Sequence, residues 1–386
     1  MISFLDPEKC TGCGTCLRSC GLDVFRLDTK QSQVAPCMSA CPAGNDIRNN
    51  HYLIELGLFD EALTSLKKTM PFPAITGKIC PAPCENRCSR SNSDAAVNIN
   101  ALEEFLGKLD LEKDVQPVSR THLYKVAVIG AGPAGMSAAW FLATAGYQVE
   151  IFESMPKGGG MLRYGIPAHR IPEFIVENYI NKLKKLGVVF HFEVTVSDTG
   201  TVSIDTLKKE GFRAVVIATG ASVSRRLMIE GEDQSGVIDA LTYLRNARIH
   251  ETSLKGKHII VIGGGDVAMD VATTASMQGA ESVQIFCLEN PDEMPAQKRE
   301  LACAQQLGIG INAQWGAVYI KKTSDGKLEI TFQHCLSLKN ERGQFAPKLD
   351  SRQTMKVTAD MIVTAIGQTI DSSSQKSLFQ NGRLMA

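Results

Sequence analysis

The sequence predicts an α/β fold: two nested Rossmann-like dinucleotide-binding domains behind a small helical iron–sulfur domain and a ferredoxin-like cysteine segment. Three observations predict it. A strand, glycine turn and helix phrase occurs twice, first as Val126-Ala127-Val128-Ile129-Gly130-Ala131-Gly132-Pro133-Ala134-Gly135 and then as Ile259-Ile260-Val261-Ile262-Gly263-Gly264-Gly265-Asp266-Val267-Ala268. Nine of the twelve cysteines fall between Cys10 and Cys88. From Tyr124 onward short β-branched runs alternate with helical segments, the pattern of βαβ units around a parallel sheet. Nucleotide sites and cysteine-ligated metal in one polypeptide imply electrons moving between an organic hydride carrier and iron–sulfur clusters.

A chain of 386 residues is long enough for two or three domains. Its 41 Lys plus Arg balance 41 Asp plus Glu, so no global field draws it to nucleic acid or to an anionic membrane. No apolar run approaches a membrane span, and the N-terminus lacks a basic start followed by an apolar stretch. The expected compartment is the cytoplasm, where closely spaced cysteines are metal ligands or redox groups rather than a disulfide framework.

The elements follow in chain order. Residues 1–34 hold Cys10-x-x-Cys13-x-x-Cys16-x-x-x-Cys20 and little that could form a core. This matches the bacterial ferredoxin run, except that Gly21 rather than proline follows Cys20. Zinc is the rival ligand, but its sites usually come as two separated pairs, so iron–sulfur is the better reading. Residues 35–118 are expected to form a helical domain, with a helical period over 45–69 and another over 101–111. It carries Cys37-x-x-x-Cys41-Pro42 and Cys80-Pro81-Ala82-Pro83-Cys84-Glu85-Asn86-Arg87-Cys88, where two prolines crowd three thiols as a second cluster would need. The polar stretch 112–121, with Pro117, reads as a linker.

In the first fingerprint Gly130 allows the tight turn, Gly132 lets the backbone approach a pyrophosphate, and Gly135 lets the helix pack on the strand. Glu153, 23 residues beyond Gly130, ends the following strand, where an acid accepts from a ribose 2′-hydroxyl. Gly263, Gly265 and Ala268 take the same roles in the second fingerprint, with Glu289 as the answering acid. Each half also contains a strand ending in a similar phrase, Val215-Val216-Ile217-Ala218-Thr219-Gly220 and Ile362-Val363-Thr364-Ala365-Ile366-Gly367. Gly220 and Gly367 are therefore further candidate cofactor contacts. Two sites imply two nucleotides, a flavin dinucleotide and a nicotinamide. Cys287, Cys303 and Cys335 are isolated and read as buried small hydrophobes or plain thiols. No CxxC or CxxxxC lies in either nucleotide half, so the dithiol of a flavin disulfide reductase is missing.

From about Gln33 onward the chain resembles the small (beta) subunit of glutamate synthase and the N-terminal half of dihydropyrimidine dehydrogenase. The phrases that carry the resemblance are Cys37 to Pro42, Gly77-Lys78-Ile79-Cys80-Pro81-Ala82-Pro83-Cys84-Glu85, both fingerprints with Asp266, Gly158-Gly159-Gly160-Met161-Leu162-Arg163-Tyr164-Gly165-Ile166-Pro167, and Glu293-Met294-Pro295-Ala296. The resemblance implies an FAD domain (119–222 and 363–386) interrupted by an NAD(P) domain (223–362). It also implies two [4Fe–4S] clusters and places Gly159, Gly160 and Tyr164 near the flavin ring. One cluster would take Cys41, Cys80, Cys84 and Glu103; the other, Cys37 and Cys88 with a cysteine pair just before Cys37. Residues 31–36 contain no cysteine, so the N-terminal run is the expected source of the missing ligands. Nine cysteines and one glutamate suffice for two clusters and are too few for three. The family's Gly-Asp motif and helix, which follow the counterpart of Asn381-Gly382-Arg383, lie beyond Ala386, so the C-terminal part of the flavin domain is expected to be incomplete.

The expected function is an electron-transfer flavoprotein subunit working with a catalytic partner subunit or a ferredoxin-type carrier. Two alternatives belong to other classes: a stand-alone disulfide or small-molecule reductase, and a non-catalytic iron–sulfur scaffold. NADH is expected over NADPH. The arginine pair of NADPH-using relatives falls at Leu288 and Glu289, and a carboxylate there accepts from a free 2′-hydroxyl and repels a 2′-phosphate.

Overall fold

The computed structural model describes residues 35–371 apart from 199, 201 and 251, together with the backbone of 379–380 and 383–384. The expected ferredoxin-like segment, with Cys10, Cys13, Cys16 and Cys20, lies outside the described residues. The chain divides into two compact units, Met1–Gln116 and Pro117–Ala386, and the division falls inside the polar stretch 112–121. Among the described residues no helix is long and apolar enough to cross a membrane.

The first unit is helical. Its described helices are Pro36–Ala40, Ile47–Glu55, Phe59–Lys67, Pro73–Ile79, Pro83–Asn86 and Ile99–Glu112. The single helical period expected over 45–69 is two helices, because Gly57 takes φ +73° and ends the first one. Its N–H donates to Ile54 O (3.0 Å) and that of Leu58 to Leu53 O (2.9 Å), the paired bonds of a Schellman turn. Ala62, Leu63 and Leu66 then bury their face against Leu106 and Met70. Helices Pro73–Ile79 and Ile99–Glu112 pack backbone to backbone. A Cβ on Gly77 would lie 2.5 Å from Glu104 Cα, and one on Gly107 would lie 2.4 Å from Ala74 N. That approach sets the cysteine loop after Ile79 against the helix that carries Glu103.

The second unit holds two parallel sheets. In the first, β1 (Lys125–Ile129), β2 (Gln148–Glu153), β3 (Val189–Phe192) and β4 (Phe212–Ile217) stand in the order β3-β2-β1-β4. After β5 (Val223–Ser224), the second sheet takes β6 (Val237–Asp239), β7 (His258–Ile262), β8 (Ser282–Phe286) and β9 (Gly310–Asn312). An antiparallel sheet follows, of β10 (Trp315–Lys322), β11 (Leu328–Lys339) and β12 (Phe345–Ala359), before β13 (Met361–Thr364) completes the order β6-β13-β7-β8-β9. The uniform βαβ pattern expected beyond Tyr124 is therefore interrupted by these long antiparallel strands. They pack on the parallel sheet through Phe332, stacked on Phe286 at 4.0 Å, with Ile330 and Ile320 beside Ile260 and Ile362.

The two crossings between sheets pair with each other, β5 running antiparallel to β14 (Gln368–Thr369). The expected return to the first domain at residue 363 falls inside β13, which pairs with β6 and β7. The return therefore comes after Thr364. Both glycine fingerprints sit at the carboxyl ends of inner strands, β1 and β7, beside the point where strand order reverses, which is where open α/β sheets bind ligands.

Candidate cofactor-binding sites

The first turn leaves β1 at Gly130, whose φ of +102° favours glycine. Its N–H donates to Phe152 O at 2.8 Å. A Cβ there would meet Ala218 O at 2.4 Å, and one on Gly135 would lie 1.9 Å from Gly130 O. Gly132 caps the helix Pro133–Thr144, whose free N–H groups and positive dipole end can receive a pyrophosphate. The loop from Gly158 to Gly160 lies against this turn. Gly159 donates to Ala131 O (2.8 Å), and a Cβ on Gly160 would come within 2.7 Å of Gly132 Cα. A Cβ at Gly130, Gly135 or Gly160 would strike neighbouring backbone, so turn, helix and loop come together only as bare main chain, and this close approach fits a dinucleotide-binding turn.

Glu153 ends β2 at 6% exposure. Its Oε2 accepts from Ala131 N–H (2.7 Å) and its Oε1 from Met155 N–H (2.8 Å), so the acid is anchored to the turn itself. Oε1 also accepts from Ser154 Oγ (3.3 Å), so the second lone pair of Oε2 is the one left for a ribose. Tyr164 is buried, and its hydroxyl accepts from Lys157 N–H (3.2 Å) and donates to Lys157 O (3.1 Å). What Tyr164 has left to offer is its ring. Gly220 (φ +71°) follows β4 with open space beside it, and Gly367 (φ +102°) lies against Arg225 before β14.

The second turn repeats the first. Gly263 takes φ +138°, its N–H donates to Phe286 O (2.8 Å), and a Cβ on it would meet Ala365 O at 2.3 Å. Gly265 caps the helix Asp266–Met277, and Ala268 is fully buried. Asp266, a candidate cofactor contact, gives Oδ1 to Gln297 N–H (2.7 Å) and Oδ2 to Gln297 Nε2 (2.8 Å). With Ala296 N–H donating to Gly264 O (3.2 Å), that clasp closes the 293–297 loop over the turn. Glu289 is partly exposed and places Oε2 2.8 Å from where a Gly264 Cβ would be. Leu288 faces elsewhere, its Cδ2 against Gly316.

Two arginines join the modules, and sequence reading singled out neither. Arg170, beyond the glycine loop, places Nη1 2.8 Å from both oxygens of Asp270 and Nη2 3.2 Å from Glu300 Oε1. Arg248 donates to the carbonyls of Arg163 (2.8 Å), Ile171 (3.1 Å) and Leu162 (3.3 Å). Burial pushes the Asp270 carboxyl up to about 6, against the pull of Arg170. Neither arginine stands out locally, since Arg170 has His169 and Glu173 nearby and Arg248 follows Arg245 and Asn246.

In the helical unit Cys41, Cys80, Cys84 and Glu103 act electrostatically on one another. Cys41 follows a short helix and Cys80 ends another, while Ala82 at φ +48° turns the chain so that Cys84 is buried. Glu103 is 7% exposed, so it is not a solvated residue of the helix surface. Its Oε1 accepts from Asn45 Nδ2 (2.7 Å), and Asn45 in turn accepts from Asn50 Nδ2 (2.7 Å). Burial first, then the Glu103 charge and the neighbouring thiols, push Cys84 up to about 12; burial also raises Glu103. Anionic donors gathered at such cost fit a cationic iron centre. Cys37 and Cys88 form a separate pair. Among the described residues no three His, Cys, Asp or Glu side chains converge on a single ion. Cys287 and Cys335 are buried and Cys303 is partly exposed.

Two dinucleotide modules with anchored glycine turns, in one chain with a helical unit that carries five cysteines, define an oxidoreductase class built to hold two nucleotides. The sequence pattern of the pyridine nucleotide-disulphide oxidoreductases matches residues 124–383, that of dihydropyrimidine dehydrogenase domain II with its 4Fe-4S cluster matches 30–115, and a 4Fe-4S binding domain matches 4–26. The chain belongs to the pyridine nucleotide-disulphide oxidoreductase family, in the group that unites flavin and pyridine-nucleotide modules with iron–sulfur domains.

Among its relatives, the NADP(+)-dependent formate dehydrogenase subunit beta of Moorella thermoacetica is 32% identical over 93% of this chain and 54% of that one. The glutamate synthase [NADPH] small chain of Bacillus subtilis is 38% identical over 72% and 56%, and the NAD-dependent dihydropyrimidine dehydrogenase subunit PreT of Escherichia coli is 32% identical over 86% and 76%. The chain thus spans about half the length of the first two. FprA of Mycobacterium tuberculosis in complex with NADPH shares the fold, with TM-score 0.54 at 21% identity over 64% of this chain and 71% of that one.

Proposed function

We propose that the chain is an electron-transfer subunit that takes reducing equivalents from a nicotinamide nucleotide and passes them to a catalytic partner subunit or a ferredoxin-type carrier. The observation that carries this reading is the presence in one chain of two dinucleotide cradles and the neighbouring set Cys41, Cys80, Cys84 and Glu103, of which Cys84 and Glu103 are buried. When bound, a flavin takes up a hydride's two electrons and releases them singly, which suits one-electron iron–sulfur acceptors.

The chain's own residues do the holding. Gly130, Gly132 and Gly135 with Gly159 and Gly160 bring bare backbone to FAD, and Glu153 fixes that turn. Gly263, Gly265 and Ala268 do the same for the nicotinamide nucleotide, while Asp266 positions the loop above it. Arg170 and Arg248 keep the two cradles at one separation. Cys41, Cys80, Cys84 and Glu103 supply four ligands to one [4Fe–4S] cluster, and Cys37 and Cys88 begin a second. Glu289, beside Gly264, favours NADH. Such chemistry suits the reducing cytoplasm. Neither nucleotide half offers a CxxC or CxxxxC dithiol for a disulfide reductase acting alone.

Anaerobic purification with absorbance and metal analysis tests the reading. A flavin band bleached by NADH and about eight irons per chain, from two cubanes, are expected. One zinc with little iron would overturn it, as would unaided turnover of glutamine with 2-oxoglutarate or of uracil.

A further inference from the structure

Cys37 and Cys88 face a cavity of about 160 Å³ whose wall includes Arg48, His51, Ile47 and Ile99. The four-donor set around Glu103 does not use either thiol, and the remaining cysteines of residues 1–116 all lie at 10–20. His51 stands one helical turn beyond Ile47 on the helix Ile47–Glu55, so both residues turn toward the cavity. Its Nε2 is buried and has no hydrogen-bond partner. A buried ring nitrogen without a partner is rare in a folded protein and marks a group with another task. Among the lining residues, Cys37, Cys88 and His51 are the established iron-ligand types, and Arg48 acts on Cys37 from the same helix.

We infer that His51 is an iron ligand, the third local donor to the cluster that Cys37 and Cys88 hold. The inference rests on the iron–sulfur reading above. The three side chains need not converge on one ion, since a cubane presents each donor with a different iron. Imidazole is an accepted ligand in iron–sulfur centres, where replacing thiolate by neutral nitrogen raises the potential. With His51 in place, this cluster needs one donor from outside the cavity rather than two.

Pulsed electron paramagnetic resonance on the reduced full-length chain, grown with unlabelled or ¹⁵N-histidine, tests this. His51 is the sole histidine in residues 1–116. A strongly coupled nitrogen on one cluster, changing frequency with the ¹⁵N label, is the expected result. His51→Cys should abolish that coupling, keep the iron content and lower the midpoint potential of one cluster while leaving the other unmoved. Cluster signals without a coupled histidine nitrogen overturn the His51 assignment and leave the iron–sulfur reading standing. A reconstituted chain that holds no iron overturns that reading itself, and with it the assignment. If His51→Cys fails to fold, the isotope comparison on the unmodified chain still decides.

Discussion

In the first dinucleotide turn a Cβ at Gly135 would sit 1.9 Å from Gly130 O, whereas the second turn carries Ala268 at the matching position, fully buried. The first turn thus leaves no room for a Cβ at this position, and the second accommodates one. The lids differ too. Each lid has one main-chain bond, Gly159 N–H to Ala131 O over the first turn and Ala296 N–H to Gly264 O over the second, and only the second adds a side-chain clasp, Asp266 on Gln297. The acids follow the same division. Glu153 is buried and bonded to two backbone N–H groups, while Glu289 is partly exposed beside Gly264 and Cys287. The contrast teaches that the same turn can be held in two ways, by bare backbone alone or with an added side-chain clasp, and that the two should differ in which substitutions they tolerate.

The largest effect should come from the residue that couples the two modules. Arg170→Met leaves Asp270 buried without its cation and Glu300 with Arg299 alone, a loss of about 3–5 kcal/mol. Denaturant unfolding checks this, and Arg170→Met combined with Asp270→Leu should recover part of the loss. Asp270 also gives a pH signature. Its carboxyl is raised by burial to about 6, so the folded state holds this proton more tightly than the unfolded chain does. Its contribution to stability is complete below the unfolded value near 4 and is lost as pH rises through about 6. The wild-type curve should show that fall, and Asp270→Asn should flatten it.

Exchanging the third residue of each fingerprint tests the difference in closeness directly. Gly135→Ala forces backbone apart and should cost about 3 kcal/mol, the upper range for overpacking, with flavin released on gel filtration. Ala268→Gly should cost only about 0.5–1 kcal/mol, the usual helix penalty, and leave flavin in place. Equal costs at the two positions would break the contrast.

What could be read in the sequence was what leaves a local trace. Positive φ and close approach demand glycine, so both turns and the Gly158 to Gly160 loop were visible as glycine spacing. Gly57 had the same meaning inside an expected single helix and was passed over. The long antiparallel strands were hidden because β11 and β12 pair through register shifts at Gln333 and Cys335, which break the alternation of inward residues. Arg170 and Arg248 were invisible for another reason: their partners lie 100 and about 80 residues away, a separation that leaves no periodicity. Leu288 shows the limit of spacing alone. It was paired with Glu289 as a phosphate-facing position, yet it packs on Gly316.

That correction sharpens the test of cofactor choice. Leu288→Arg would press a guanidinium against Gly316 of the antiparallel sheet, so pairing it with Glu289→Arg would confound specificity with stability. Glu289→Arg alone reaches the turn. In the unmodified chain the carboxylate beside Gly264 accepts from a ribose hydroxyl and repels a phosphate, so kcat/KM for NADH with a dye acceptor should exceed that for NADPH. Replacing it with a guanidinium removes the repulsion and adds a charge-assisted donor, worth about 1.4 kcal/mol or tenfold at a partly exposed site. The NADPH to NADH ratio should therefore rise by at least about tenfold, while Glu153→Gln, in the other module, leaves the ratio unchanged. A chain that already uses NADPH as well as NADH, or a ratio that moves with Glu153 instead, would reverse the assignment of nucleotides to the two cradles.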